Sequence, residues 1–401
     1  MKVVVYLEWK EKCFRVNESD LGYLRSLLPK RAKLVRVKSD AAFKRELKDA
    51  THVITWHFKR EWYALAPRLK LLATPAAGKE LIELPGPALV SHSRYNDRAP
   101  AASLRKHCTP GDPRGFLHFG HFHGEIMAEN VAAFLLAFAR GFFTLGDLRN
   151  GTGSPDNGVG APPHQKVVHT WPRAWLSRQR VFTLAGTRAV IAGYGKVGRA
   201  IGAKLAALGV EVVGLSHADC DALVLASRSR YNDRMSADSL PHCMPSDPRG
   251  LSVDSLPHCT PSDPRGLFAS LRSADFFILA LPSTTGTDDF LDARLLAKLP
   301  RRCCVVNVGR GNAIDERALV AALRRGRLAG AYLDVLKYEP SGTVPLFKGA
   351  DVDLAERWTE VPNLFVTPHS SAFSADYLRR CFSELHADGC LTTNYQLPTT
   401  N

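Results

Sequence analysis

The chain has 401 residues, 45% of them hydrophobic and 23% charged, and Lys plus Arg exceed Asp plus Glu by 53 − 39 = 14. That length is more than one compact core usually takes, so two domains are predicted. No apolar run approaches the ~20 residues that span a bilayer, and the strand-like start Met1–Tyr6 meets charge at Glu8, so neither membrane nor secretion is expected. The basic excess is spread out rather than gathered into Lys/Arg tracts with interleaved aromatics, which speaks against nucleic acid as a partner. Nine cysteines, an odd number without paired zinc-type spacing, are expected to be reduced thiols in a cytoplasmic protein.

In chain order, Val3–Leu7, Leu34–Val37, His52–Trp56 and Leu69–Thr74 read as strands, with helices predicted over Asp20–Leu28 and Ala41–Lys48. Such alternation predicts parallel α/β units. The nearly all-apolar stretch Ala128–Arg140 predicts a buried helix, and residues 149–165, rich in Gly, Pro, Asn and Asp, a hinge or loop. A second alternation runs from Arg188 to Thr367. Its strands are predicted at Ala189–Ala192, Glu211–Leu215, Asp275–Leu281, Cys303–Val308, Gly330–Asp334 and Leu364–Thr367. The amphipathic segment Ser374–His386 predicts a last helix, with Ser374 as its N-cap and Gly389 as its stop.

One phrase recurs. Ser-Leu-Pro-His-Cys-x-Pro-Ser-Asp-Pro-Arg-Gly occupies Ser239–Gly250 and again Ser255–Gly266, sixteen residues later, with a relative at Ser103–Gly115. Pro- and Asp-Pro-rich text sustains neither helix nor central strand, so residues 91–116 and 227–267 are predicted to be loop insertions. Each copy carries a His-Cys pair; duplication of surface loop is the preferred reading over a shared metal site, and no metal is expected.

Gly193-Tyr194-Gly195-Lys196-Val197-Gly198 follows the strand Ala189–Ala192 and opens a helix predicted over Arg199–Leu208. In that setting the glycines serve a tight turn, close backbone approach to a pyrophosphate and close helix–strand packing. The free N–H groups at the helix start favour the anion. The residue eighteen after Gly198 is Ser216, followed by His217, and the nearest acid is Asp219. Without an acid at the strand end to repel a 2′-phosphate, NADP is permitted beside NAD. Three further strands run into Gly309-Arg310-Gly311, into Val335 to Pro340, and into Pro368-His369-Ser370. Strand ends of that kind are where open α/β sheets bind ligands.

Together these motifs resemble the D-isomer-specific 2-hydroxyacid dehydrogenase family. The matching text is Gly193–Gly198, Leu281–Thr287, Asn307–Gly311, Leu333-Asp334-Val335, Glu339-Pro340 and Thr367-Pro368-His369, spaced 29 residues from Arg310 to Glu339 and 30 from Glu339 to His369. The resemblance implies an α/β protein of two Rossmann-like or flavodoxin-like domains with parallel sheets and the active site in the cleft between them. Residues 1–140 plus 370–401 would form the substrate domain and 141–369 the NAD(P)-binding domain.

The implied catalytic set is Arg310, Glu339 and His369. Arg310 would grip the substrate carboxylate, His369 would exchange a proton with the keto oxygen, and Glu339 would hold the imidazole. Cofactor contacts would come from Gly193, Tyr194, Gly195, Lys196, Val197, Gly198, Ser216, His217, Pro282, Thr287, Val308 and Asp334, the last by accepting from the nicotinamide amide. Thr74–Lys79 resembles the family's substrate loop, which puts Ala77 and Gly78 beside Arg310 as substrate-binding residues. His118, His121 and His123 are read as loop histidines, not metal ligands.

The expected activity is hydride transfer between NAD or NADP and a small 2-keto or 2-hydroxy acid of glyoxylate or hydroxypyruvate type, in a homodimer. Three alternatives stay open: a nicotinamide-sensing corepressor-like binding protein, a relative left inactive by the insertions, and a formate or phosphite oxidising enzyme, against which Glu339 argues.

Overall fold

A computed structural model describes residues 1–9, 14–76, 81–83, 116–120, 122–142, 181–228, 264–337, 361 and 363–392. The hinge expected at 149–165 and most of both insertions lie outside these residues. The chain divides into two compact units, Met1–Ile126 with Ala372–Asn401, and Met127–Glu339 with Gly349–Ser371, apart from a short segment outside the described residues.

The first unit runs β1 (Lys2–Tyr6), α1 (Glu18–Leu27), β2 (Lys33–Arg36), α2 (Asp40–Leu47), β3 (His52–Thr55), a 3-10 turn (Arg60–Leu65), β4 (Leu71–Thr74) and β5 (Phe116–Phe119). The strands pair in the order β2-β1-β3-β4-β5, all parallel. β1, β3 and β4 are buried along their whole length, as a parallel sheet covered on both faces requires. Polar groups set the helix starts: Asn17 and Asp20 form a reciprocal capping box at α1, and Ser39 accepts from the Ala42 N–H at α2. β5 went unpredicted, because Phe-Leu-His-Phe is too short to show a period; the structure starts it at the residue where the first insertion was expected to end. α3 (His123–Ala139) begins five residues before the predicted Ala128, and the division between units falls within it, after Ile126.

The second unit contains β6 (Arg188–Ala192), α4 (Lys196–Ala207), β7 (Glu211–Leu215), α5 (His217–Arg228), α6 (Pro264–Ser273), β8 (Phe276–Leu279), α7 (Ala293–Leu296), β9 (Cys304–Asn307), α8 (Glu316–Arg324), β10 (Gly330–Leu333) and β11 (Leu364–Val366). Its six described strands lie parallel in the order β11-β10-β9-β8-β6-β7. The expectation of loop throughout 227–267 is corrected at both ends. α5 reaches Arg228, and the last three residues of the second repeat copy, Pro264-Arg265-Gly266, form the first turn of α6. Proline is disallowed inside a helix but suits its first position, where its missing N–H is not needed. Leu223 of α5 and Leu267, Phe268 and Leu271 of α6 are buried in one core with β8.

The chain then returns to the first unit through α9 (Tyr377–Ala387), whose Leu378, Cys381, Phe382 and Leu385 fill the core beside β1 and α1. Ser374 is not its N-cap: Asp376 stands there, and the Ser374 hydroxyl donates to the Asp376 carboxylate at 2.7 Å. Gly389 does end the helix, at a left-handed φ of 70°. Among the described residues no helix is long and apolar enough to cross a membrane.

Candidate active site

Because the six described strands of the second unit are parallel, their C-terminal ends share one edge of the sheet. Read along that edge, β11 leads to His369, β10 to Asp334, β9 to Arg310, β8 to Pro282, β6 to Gly193 and β7 to Ser216. The strand order reverses between β6 and β8, where such sheets open a crevice for ligands.

The turn after β6 meets the demands of a dinucleotide. Gly193 has φ +87°, and a Cβ there would lie 2.7 Å from the Ala280 carbonyl oxygen. At Gly198 a Cβ would fall 2.4 Å from the Gly193 oxygen, so α4 packs directly on the turn. Gly195 differs: nothing lies within 4 Å of the place its Cβ would take. It is also the N-cap of α4, with no side-chain cap bond, which leaves an approach to free N–H groups for a pyrophosphate. Tyr194 packs its ring across Gly214 of β7 and Gly202 of α4, both of which need to be glycine for it to lie there. Lys196 is exposed and Val197 half-buried in the first turn.

At the end of β7, Ser216 caps α5. The Asp219 carboxylate accepts from the Ser216 N–H at 2.8 Å and from its hydroxyl at 2.6 Å, while the Asp219 N–H donates back to the Ser216 oxygen at 3.3 Å. The acid missing from the strand end is therefore folded back onto it from three residues on. His217 is exposed and paired with Asp221 at 2.8 Å. A cavity of about 410 Å³ opens beside these residues, lined in part by Asp221, Val224, Gly286, Asp288 and Phe290. Pro282 is exposed, whereas the Thr287 side chain is buried, donating to the Pro282 carbonyl at 2.7 Å and accepting from the Thr284 N–H at 2.9 Å. Thr287 thus shapes the loop after β8 from inside.

Arg310 stands between two glycines for a steric reason. A Cβ on Gly309 would lie 2.6 Å from the Leu281 backbone, and one on Gly311 2.0 Å from that of Leu336. The β9 turn therefore threads between the two neighbouring strand ends at backbone contact. Asn307 pins it, accepting from the Gly309 N–H at 3.1 Å and donating to the Arg310 carbonyl at 3.0 Å. Val308 is buried beside it.

His369 is exposed at φ +52°, a left-handed conformation that a non-glycine residue keeps only where its surroundings enforce it. Asp334 is what enforces it. Its carbonyl accepts from the His369 N–H at 2.9 Å, and its carboxylate accepts from Thr367 at 2.6 Å, the Ser370 N–H at 2.8 Å and the Ser371 N–H at 3.0 Å. Only 1% exposed, this carboxylate holds the histidine turn. The sequence put Asp334 and His369 in neighbouring motifs but carried no signal that one builds the other's turn. Of the remaining expected residues, Ala77, Gly78 and Glu339 lie outside the described residues.

Residues 260–371 match the family model described as D-isomer specific 2-hydroxyacid dehydrogenase, NAD binding domain. D-3-phosphoglycerate dehydrogenase of Mycobacterium leprae is 25% identical over 318 residues, 79% of this chain but only 43% of that protein's length. Glyoxylate reductase of Pyrococcus horikoshii is 36% identical over 107 residues, 26% of this chain and 28% of that one. A D-lactate dehydrogenase of Treponema pallidum shares the fold, with TM-score 0.62 at 18% identity over 98% of this chain and 96% of its own. In its second unit the chain is thus similar to the NAD binding domain of the D-isomer specific 2-hydroxyacid dehydrogenases.

Proposed function

We propose that the protein reduces small 2-keto acids to D-2-hydroxy acids with NADH, glyoxylate and hydroxypyruvate being the first candidates. The observation that carries this is the single sheet edge from which the dinucleotide turn, Arg310 and the Asp334-held His369 all emerge. The Pyrococcus horikoshii glyoxylate reductase supports the substrate class.

When bound, the nicotinamide supplies the hydride. The rest belongs to the chain. Gly195 and the start of α4 hold the pyrophosphate. Arg310 grips the carboxylate with its planar fork and polarises the keto oxygen. His369 gives its proton to that oxygen, and Glu339 keeps the ring charged and oriented. Keto acid, hydride and one proton thereby become the hydroxy acid; the reverse reaction returns the proton to His369.

Asp219, with Asp221 one half-turn on, argues for NADH over NADPH: a 2′-phosphate at the end of β7 would meet fixed negative charge. The test is loss of nicotinamide absorbance with glyoxylate, hydroxypyruvate and pyruvate, each with NADH and with NADPH. Turnover is expected to favour NADH. Arg310→Ala is expected to lose about a hundredfold or more in kcat/KM, and His369→Asn to lose reduction while binding NADH as before. Undiminished turnover in both variants would refute the mechanism.

A further inference from the structure

The sequence reading makes His118 a loop histidine and no metal ligand. The structure puts it inside β5, at the end of the first sheet's strand order, paired with Ala73 of β4. Ladder pairing fixes its backbone, and the residue is only 5% exposed. Its Nε2 lies 3.1 Å from Asp388 Oδ2 and 3.4 Å from Glu384 Oε1, at the far end of α9. All three atoms lie within 4.8 Å of one another. Glu384 and Asp388 stand four residues apart, and the Asp388 N–H donates to the Glu384 carbonyl at 2.9 Å, so both carboxylates leave one helical face. His123 is engaged elsewhere, 2.7 Å from the Tyr377 hydroxyl at the start of α9, and His121 lies outside the described residues.

Charge argues first. One imidazole nitrogen carries one proton at most, and two carboxylates converge on it. An imidazolium offsets one of the two charges, whereas a divalent ion bound by the neutral ring offsets both. The helix makes the same demand. Acids are favoured in the first turn of a helix, but α9 carries Glu384 in its last turn and Asp388 as its C-cap, where the carbonyl ends are already negative. A cation there answers the carboxylates and the helix dipole together. Distance agrees as well: ligand atoms about 2.0–2.1 Å from a tetrahedral zinc ion stand about 3.3 Å apart, against the 3.4 and 3.1 Å found here. Side-chain exposure rises from 5% at His118 through 16% at Glu384 to 31% at Asp388, which gives an ion a way in from solvent.

We propose that His118, Glu384 and Asp388 form a zinc-type divalent cation site, with water completing the coordination on the Asp388 side. The bound ion clamps the end of α9 to β5 and so tightens the return of the chain to the first unit. It takes no part in the hydride transfer proposed above and does not rest on it.

The test uses the full-length protein, dialysed against a chelator and then titrated with Zn2+ alone, by calorimetry and by Tm. Asp388→Asn and Glu384→Gln are run beside it; each keeps an oxygen that can accept from Nε2 but loses the charge. Co2+ serves as the coloured substitute. Wild type is expected to bind one Zn2+ per chain, with a Tm raised by at least about 3 °C at a hundredfold excess over Kd. Each variant is expected to bind at least about tenfold more weakly and to lose that rise. Its metal-free Tm is expected to match or exceed that of wild type, since one carboxylate fewer opposes the helix dipole. Wild type whose Tm ignores Zn2+ overturns the proposal and leaves the carboxylates as hydrogen-bond partners of His118 only. Zn2+ binding that both variants keep overturns it too, as does a Co2+ spectrum with a thiolate charge-transfer band, which assigns the ion to cysteines.

Discussion

Gly195 and Gly198 stand three residues apart in one turn, yet the space at their α-carbons is opposite in kind. A methyl at Gly195 meets nothing within 4 Å, whereas one at Gly198 meets the Gly193 carbonyl at 2.4 Å. The first glycine is therefore unexplained by the fold and explained by a ligand whose phosphates approach the backbone. Gly195→Ala is expected to melt within a degree or two of wild type and to bind NADH at least tenfold more weakly. Gly311→Ala, whose methyl would sit 2.0 Å from the Leu336 carbonyl carbon, is expected to lose about 3 kcal/mol or more of stability. Parallel thermal melts and cofactor titrations separate the two cases; equal loss of stability in both would remove the argument for an open approach at Gly195. At this scale the motifs were legible because glycine and arginine stand at fixed offsets from strands. The Asp219–Ser216 box and the Asp334–Thr367–Ser370–Ser371 cluster were not, since they depend on where a helix starts and on two strands becoming neighbours.

Among the elements, β3 carries a cost visible only in the folded chain. His52, at its first residue, lies between β1 and β4 with 2% exposure, and burial, with the nearby positive N-terminus and Lys70, pushes its pKa down to about 4 from 6.5. Since the folded state resists the proton, the unfolded state binds more protons between these values, and stability falls as pH drops from about 6.5 to about 4. The full loss is about 3 kcal/mol. His52→Leu is expected to flatten the Tm-against-pH curve in that window relative to wild type. Parallel curves for the two proteins would exclude His52 as the acid-sensitive group.

Element identity was readable from sequence wherever apolar runs of four or five residues were bounded by turn residues, as at β1, β3, β6 and β9. It failed at α5 and α6. The polar opening Ser216–Asp221 conceals the buried face of α5, and Pro264 reads as a helix breaker although it stands at the one helical position that favours it.

For the whole molecule, the α/β class and the parallel sheets were legible because hydrophobic runs alternate with amphipathic stretches twice over. The pairing order was not, since neighbouring strands in these sheets need not be neighbours in sequence. α5 and α6 are buried in one core, and residues 229–263 leave from the first and return to the second. That geometry bears on how the repeated phrase arose. A chain tethered at two fixed points pays for its length only logarithmically, about 0.6 kcal/mol for each doubling. Unequal copying of a sixteen-residue unit would therefore pass almost unseen by folding, while the same event inside β6 or α4 would be lethal to the sheet. Excising Ser239–Asp254, which leaves one copy and the whole of α6, is expected to shift the Tm by no more than about 2 °C. A collapse of the melting transition in that variant would mean that the number of copies is held by selection on the fold itself, and not merely tolerated by it.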